Sequence, residues 1–225
     1  LSSMRSYADE LKKNNACFGQ VAGFESPLWY ALDGDKAEFE YSFGYQNWYK
    51  SAEYETQNTR KNVGFFELTP FAKFEIEGEN AYSSLQYLCS NNIKNQPGSI
   101  TYTQMLNSNG GIEADLSITC ISEKKYRIVT GSAVREHDKK HILKHLDKSI
   151  NFRDITEKYV CFGIFGPKSR DLLTEIFGKE FESNKFPFGY AKSLEIKNIN
   201  ILFQRLSFVG ELGWELYIPI NDSKK

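Results

Sequence analysis

One hairpin constrains this chain more than any other feature. Gly110 to Leu116 reads Gly-Gly-Ile-Glu-Ala-Asp-Leu. It lies between the β-prone runs Ile100-Thr101-Tyr102-Thr103-Gln104-Met105-Leu106 and Ser117-Ile118-Thr119-Cys120-Ile121. Asn109-Gly110-Gly111 is hairpin chemistry, because its turn positions tolerate positive φ. The turn hands Asp115 to the start of the returning strand. Strand alternation puts Ala114, Leu116 and Ile118 on one face and Asp115 and Ser117 on the other. An acid is thereby set beside an apolar layer. Taken alone, the segment reads as a surface hairpin with an exposed Asp.

A strand–turn–helix unit occurs twice. Phe74-Glu75-Ile76-Glu77-Gly78 is followed by Ala81, Leu85 and Leu88 at helical spacing. Phe162-Gly163-Ile164-Phe165-Gly166 is followed by Ser169, Leu172, Leu173 and Ile176 in the same register. Between them lie the hairpin, a strand at Tyr126 to Thr130 and a helix near Ala133 to Leu146. A second turn, Gly210-Glu211-Leu212-Gly213, separates Ile201-Leu202-Phe203 from Leu216-Tyr217-Ile218. Ser2 to Lys13 and Ser51 to Asn62 read as helices. The stretch from about Asn15 to Tyr49, rich in glycine and aromatics, reads as a packed connector with short strands. The expected fold class is α+β, with two related halves, each a mostly antiparallel sheet with helices on one face.

With 225 residues, 40% apolar and 15% aromatic, the chain can bury a sizeable core as one large domain or two small ones. Its 28 basic and 29 acidic residues leave no nucleic-acid or membrane footprint. No apolar run approaches the ~18 residues needed to span a bilayer, and no signal-peptide pattern is visible. The four cysteines, Cys17, Cys89, Cys120 and Cys161, are widely spaced and read as buried thiols of a reducing compartment. There is no GxGxxG, hence no dinucleotide-binding turn of its own.

The hairpin, together with Arg205-Leu-Ser-Phe-Val-Gly-Glu-Leu-Gly-Trp-Glu215, resembles the glycine-cleavage T-protein family of folate-dependent aminomethyltransferases. In that family the motifs read Gly-Gly-x-x-x-Asp-Leu and Arg-x-x-Tyr-x-Gly-Glu-x-Gly-x-Glu. Val63 to Glu67, Phe71 to Gly78, Ile100-Thr101-Tyr102 and Gly166-Pro167-Lys168-Ser169 fall in the family's order. The segments Ala16 to Gly19, Gly23 to Tyr30 and Phe43-Gly44-Tyr45-Gln46-Asn47-Trp48-Tyr49 resemble the join between the flavin and folate parts of dimethylglycine and sarcosine dehydrogenases. The resemblance implies a T-protein-like folate-binding domain over residues 51–225, stopping before its C-terminal barrel. It also implies that residues 1–50 connect to a flavin domain that lies upstream. The chain starts at Leu1 and stops at Lys225, and is expected to be an internal piece.

The resemblance further implies that tetrahydrofolate binds here, with FAD in the upstream domain and an N-methyl amine as the other small-molecule partner. No nucleic acid or membrane is expected as a partner. The compartment would be the bacterial cytoplasm or the mitochondrial matrix. Asp115 is the expected catalytic residue. A one-carbon unit passed to a folate nitrogen develops positive charge, and a fixed anion stabilises that charge. Glu113 is its near neighbour and competitor.

Glu215 is expected to accept the paired N–H groups of the pterin edge, against the alternative of a solvent-facing strand Glu. Tyr102, Phe71, Phe188 and Phe208 are expected to line the folate pocket, with Ser117 beside Asp115. Arg205 is expected near the folate or paired with an acid, and Glu211 is expected to serve the turn. Phe208 departs from the family's Tyr, and Gly131 stands where the T-protein has an Asn, as it tends to in the dehydrogenase branch. His137, His141 and His145 share a helical stripe opposite Ile142, Leu143 and Leu146. They read as a solvated face with no acidic partner in evident register and no metal. Other readings are a different one-carbon transferase, of T-protein or sulfonio-propionate demethylase type, or a non-catalytic relative such as a phosphatase regulatory subunit.

Overall fold

The computed structural model describes residues 5–208 and 210–223. The chain opens with α1 (Arg5–Lys13) and a two-stranded hairpin of β1 (Ala16–Val21) and β2 (Phe24–Tyr30). Residues 2–4 of the expected first helix lie outside the described residues. An irregular aromatic stretch leads to α2 (Tyr49–Lys61), β3 (Gly64–Glu67), β4 (Ala72–Glu77) and α3 (Ala81–Leu88). The central run is β5 (Ile100–Leu106), β6 (Ile112–Ser122), β7 (Lys125–Thr130), α4 (Arg135–His145) and β8 (Asn151–Asp154). Then come β9 (Tyr159–Phe165), α5 (Ser169–Phe177), β10 (Tyr190–Ile196), β11 (Ile199–Arg205) and β12 (Gly213–Pro219).

These strands form two five-stranded sheets, ordered β5-β6-β7-β4-β8 and β10-β11-β12-β9-β3, and the strand pairings are antiparallel. The two expected halves are present, as β4–α3 and β9–α5. The outer face of the first sheet buries Phe74, Ile76, Leu116, Ile118, Tyr126 and Ile128 against Leu85 of α3 and Ile142 of α4. The second sheet buries Phe203, Trp214 and Leu216 with Leu173 of α5 and Phe181 and Phe186. The aromatic rings there meet edge-on, as with Phe181 and Trp214 at 5.7 Å, the arrangement ring quadrupoles favour.

Local chemistry sets the connections. Lys197 and Asn198 both adopt positive φ, +49° and +64°, giving β10 and β11 the two-residue turn whose twist matches the strands. Gly166 ends β9 at φ +131°, where a Cβ would lie 2.3 Å from the Asn62 carbonyl oxygen. The C-terminal end of α2 is thus laid directly on the second half's turn. The β5–β6 connection is longer than the two-residue turn the glycines suggest. Asn107 organises it, its Oδ1 accepting the N–H of Asn109 and of Gly111, each at 2.9 Å. Of the two glycines, Gly110 alone takes positive φ.

Two expected helix faces are corrected. On α5 the buried positions are Ser169 and Leu173, with Ile176 exposed. On α4 they are Asp138 and Ile142, with Leu143 exposed. A buried carboxylate takes the place of an apolar residue because the Thr130 hydroxyl donates to Asp138 Oδ2 at 2.5 Å.

Candidate functional site

The remaining faces of the two sheets pack on each other and form a polar seam. In the first sheet, strand register puts Tyr102, Asp115, Ser117, Thr119, Val129, Arg127, Lys73 and Glu75 on this face. In the second, it puts Gln204, Glu215, Tyr217, Cys161 and Gly163 there. Gln204 Nε2 donates to Thr119 Oγ1 at 2.9 Å, joining the sheets directly. Val129, Cys161 and Tyr217 form one buried cluster, with Phe71 against it. Toward one end, the Arg127 guanidinium lies 4.5 Å from the Tyr159 ring centre and 5.7 Å from that of Tyr217. Arg127 also pairs with Glu75 at 2.8 Å. Beyond it the seam opens into a cleft of about 280 Å³ lined by Glu75, Lys125, Arg127, Tyr159, Ser193 and Asn200. Asp115 lies toward the opposite end, on an open face.

Glu215 is not a solvent-facing strand residue. It is 8% exposed, pairs in register with Gln204 and Gly163, and accepts the Tyr217 hydroxyl at 2.7 Å. Its other oxygen takes no hydrogen bond among the described residues. Burial pushes its carboxyl above the ordinary range, while the Tyr217 hydroxyl and the Lys73 charge act the other way. Lys73 is itself fully buried, and its Nζ donates to the carbonyls of Thr69 and Phe71, each at 2.8 Å. Sequence reasoning missed it. In Ala-Lys-Phe-Glu-Ile-Glu the polar positions read as a wetted strand face, but Lys73 and Glu75 are buried where the second sheet packs, and Glu77 stays exposed.

Asp115 is exposed on β6, and its Oδ2 accepts the Tyr102 hydroxyl at 2.9 Å. That bond raises the Tyr102 hydroxyl above its ordinary value. Ser117 is the next residue along the same face, about 7 Å away by strand rise. Tyr102 itself is 61% exposed. Phe188 is exposed and precedes Gly189, whose carbonyl accepts the Ile100 N–H and so tethers this loop to the start of β5. Phe208, 97% exposed, stands on the β11–β12 connection. Its neighbour Val209, part of the second motif, lies outside the described residues.

Two expectations are corrected. Arg205 points away from the seam, because alternation along β11 gives that face to Gln204. Arg205 donates to the Phe186 carbonyl at 2.5 Å, lies 5.6 Å from the Trp214 ring centre, and has no carboxylate partner among the described residues. The histidine stripe does have acidic partners. His137 Nδ1 is 2.9 Å from Asp138 Oδ1, and its Nε2 is 3.2 Å from Glu113 Oε2. The hydrogen bond to Asp138 leads in raising the His137 pKa, and the charges of Asp138 and Glu113 add to it. Glu113 is also held by the Asn107 amide at 3.0 Å, so it braces the hairpin. Glu211 pairs with Arg60 of α2 at 3.4 Å, tying the β11–β12 turn to that helix.

Comparison with known proteins places this geometry. The family model described as the GCVT N-terminal domain matches residues 7–225. The 4-methylaminobutanoate oxidase (formaldehyde-forming) of Paenarthrobacter nicotinovorans is 33% identical over 92% of this chain and 25% of its own length. The mitochondrial dimethylglycine dehydrogenase of Rattus norvegicus is 30% identical over 95% of this chain and 25% of its own. The chain therefore spans about a quarter of the length of these relatives. Glycine cleavage system aminomethyltransferase T from Bartonella henselae superposes with a TM-score of 0.77, over 96% of this chain and 53% of that one, at 21% identity. That likeness shows the shared fold. Among the described residues no helix is long and apolar enough to cross a membrane.

Proposed function

We propose, for a chain that belongs to the GCVT N-terminal domain family, that it is the folate-handling portion of an enzyme that oxidises an N-methyl amine. In this reading residues 51–225 receive a one-carbon unit onto tetrahydrofolate, and residues 1–50 connect to a flavin-binding portion. The observation that carries the reading is Glu215. It is a buried carboxylate with one oxygen unclaimed among the described residues, on the same seam that presents Asp115.

The residues suit a folate. Glu215 can accept two parallel N–H groups from the pterin edge, a bidentate pairing that fixes the ring in plane. Phe71 packs at the seam beside Tyr217, Tyr102 offers a ring next to Asp115, and Phe188 is an exposed ring on the loop tethered to the start of β5. Bound tetrahydrofolate supplies the nitrogen that takes up the one-carbon unit. Asp115, held by the Tyr102 hydroxyl, would stabilise the positive charge that develops there, and would do so more strongly once water is excluded. Arg205 faces the other way and contributes through the fold. In this reading flavin chemistry belongs to the upstream portion, and the residues of this chain act on the folate side. The proposed compartment is the mitochondrial matrix or the bacterial cytoplasm.

A second reading has one specific observation behind it. One relative is by name formaldehyde-forming, which fits release of the one-carbon unit without capture. A single assay separates the two. The longer protein carrying this chain is given dimethylglycine, sarcosine or 4-methylaminobutanoate with tetrahydrofolate, and both products are measured. The proposal expects methylenetetrahydrofolate to accumulate at the expense of free formaldehyde. Formaldehyde yield that ignores tetrahydrofolate supports the second reading. Neither product, with no folate bound, leaves a non-catalytic relative.

A further inference from the structure

Lys73 is a charged group inside the seam that neither motif contains. Burying an ammonium is costly unless its environment compensates. Here the compensation is specific. Two of its three protons go to the carbonyls of Thr69 and Phe71, the turn between β3 and β4. The same turn is gripped from the other side. Glu67 Oε1 accepts the Thr69 N–H and the Tyr7 hydroxyl, each at 2.9 Å, and the Cys161 N–H donates to Thr69 Oγ1 at 3.0 Å. Phe71, carried by this turn, packs against Val129, Cys161 and Tyr217. The lysine charge also favours the ionised form of Glu215, against the burial that opposes it.

We propose that Lys73 is a positioning residue of the proposed folate site: its ammonium fixes the turn that carries Phe71 and supplies positive charge that keeps Glu215 a carboxylate. The proposal rests on the reading of Glu215 as the pterin anchor. A protonated Glu215 could accept fewer N–H groups and would lose the bidentate contact. Burial, the largest influence, brings Lys73 down to about 8, with Cys161 and Glu67 holding it up and Arg127 and Arg135 pressing it down. Glu67 of β3, Cys161 of β9, Glu215 and Tyr217 of β12, Arg127 of β7, Arg135 of α4 and Tyr7 of α1 are the ionisable groups around it.

The test uses the longer protein carrying this chain and tetrahydrofolate as the probe. Lys73→Met should weaken binding by about 10-fold or more at pH 7, as expected when a charged partner is removed. The loss should be much smaller in a Glu215→Gln background, and Lys73→Arg should restore most of it. The Lys73→Met deficit should narrow as pH rises, because Glu215 then ionises without help from the lysine. Stability reports on the lysine itself. Between about 8 and 10.5 the unfolded chain binds more protons at this lysine than the fold does. Wild type should therefore gain stability relative to Lys73→Met as pH climbs through that window.

Equal losses in both backgrounds, with a deficit that does not narrow as pH rises, would overturn the proposal and leave a purely structural lysine. If Lys73→Met does not fold, Lys73→Gln, which keeps hydrogen-bond donors without the charge, carries the same comparisons. If wild type binds no tetrahydrofolate, the reading of Glu215 as pterin anchor fails first. The Lys73 claim is then decided on the unliganded protein, by the infrared band of the Glu215 carboxyl identified against Glu215→Gln. Conversion from carboxylate to acid in Lys73→Met sustains the claim, and no conversion defeats it.

Discussion

Asp115 and Glu215 are carboxylates on facing sheets, and their surroundings are opposite. Asp115 stands exposed near the end of a hairpin, with one phenol for company. Glu215 is sunk between the sheets, and burial works against its charge. An exposed anion is poised to respond to charge that appears during a reaction. A desolvated one is suited to holding a rigid donor edge in one orientation, because leaving it unpaired is costly. In the proposed function the two tasks of a transferase, gripping and reacting, would fall to the two halves of the repeat.

The largest effect should come at Asp115. Asp115→Asn keeps the shape and removes the charge. In the longer protein, capture by tetrahydrofolate should slow by about 10²-fold, the scale for losing one preorganised electrostatic group. Amine oxidation should change far less, so formaldehyde should rise as methylenetetrahydrofolate falls. Undiminished capture would return the hairpin to a plain surface turn. Glu215→Gln should act on binding instead, weakening the tetrahydrofolate Kd by about 10-fold with little change in kcat. The unliganded fold should change only modestly, because Gln keeps a carbonyl for the Tyr217 hydroxyl while the Lys73 charge loses a favourable neighbour. A kcat loss larger than the Kd change would erase the division of labour between the two sites.

Smaller effects sharpen the comparison. Tyr102→Phe removes the hydroxyl that donates to the Asp115 carboxylate. Since water can replace it at this exposed position, capture should fall only about threefold. A loss as large as that of Asp115→Asn would mean that Asp115 is not autonomous. The least effect belongs to His137. The fold raises its pKa above the ordinary 6.5, led by the hydrogen bond to Asp138. Its stabilising contribution is therefore fully present below the unfolded value and is lost as pH rises through the folded one. Denaturant melts of His137→Ala against wild type should differ most at acidic pH and converge above neutrality. A constant gap would show that the histidine's charge plays no part in bracing the hairpin.

The difference between the two carboxylates was only half legible in the sequence. The Asp115 strand announces itself, because alternation over Ala114-Asp115-Leu116-Ser117-Ile118 is local, and the burial pattern follows it residue by residue. The repeated strand–turn–helix units are legible for the same reason. Glu215 and Lys73 lie in strands whose polar face looks equally wet on paper. What dries them is a second sheet distant in sequence, a tertiary fact that periodicity does not carry. Arg205 fails similarly, since motif membership gives no facing and β11 alternation turns it outward. His137 looked solitary because one of its partners, Glu113, comes from another element, and the adjacent Asp138 is turned inward by Thr130.

The four free thiols give this architecture a timekeeping property. Each is buried, and burial lifts each above its ordinary value, Cys89 to about 12. A thiol reagent can reach one only when its surroundings open. Cys17 sits with Trp29 in the hairpin ahead of α2, Cys89 and Cys120 in the first sheet's outer core, and Cys161 on the seam beside Tyr217. Labelling rates read cysteine by cysteine therefore report the sequence in which connector, half and seam come apart, with no probe added to the chain.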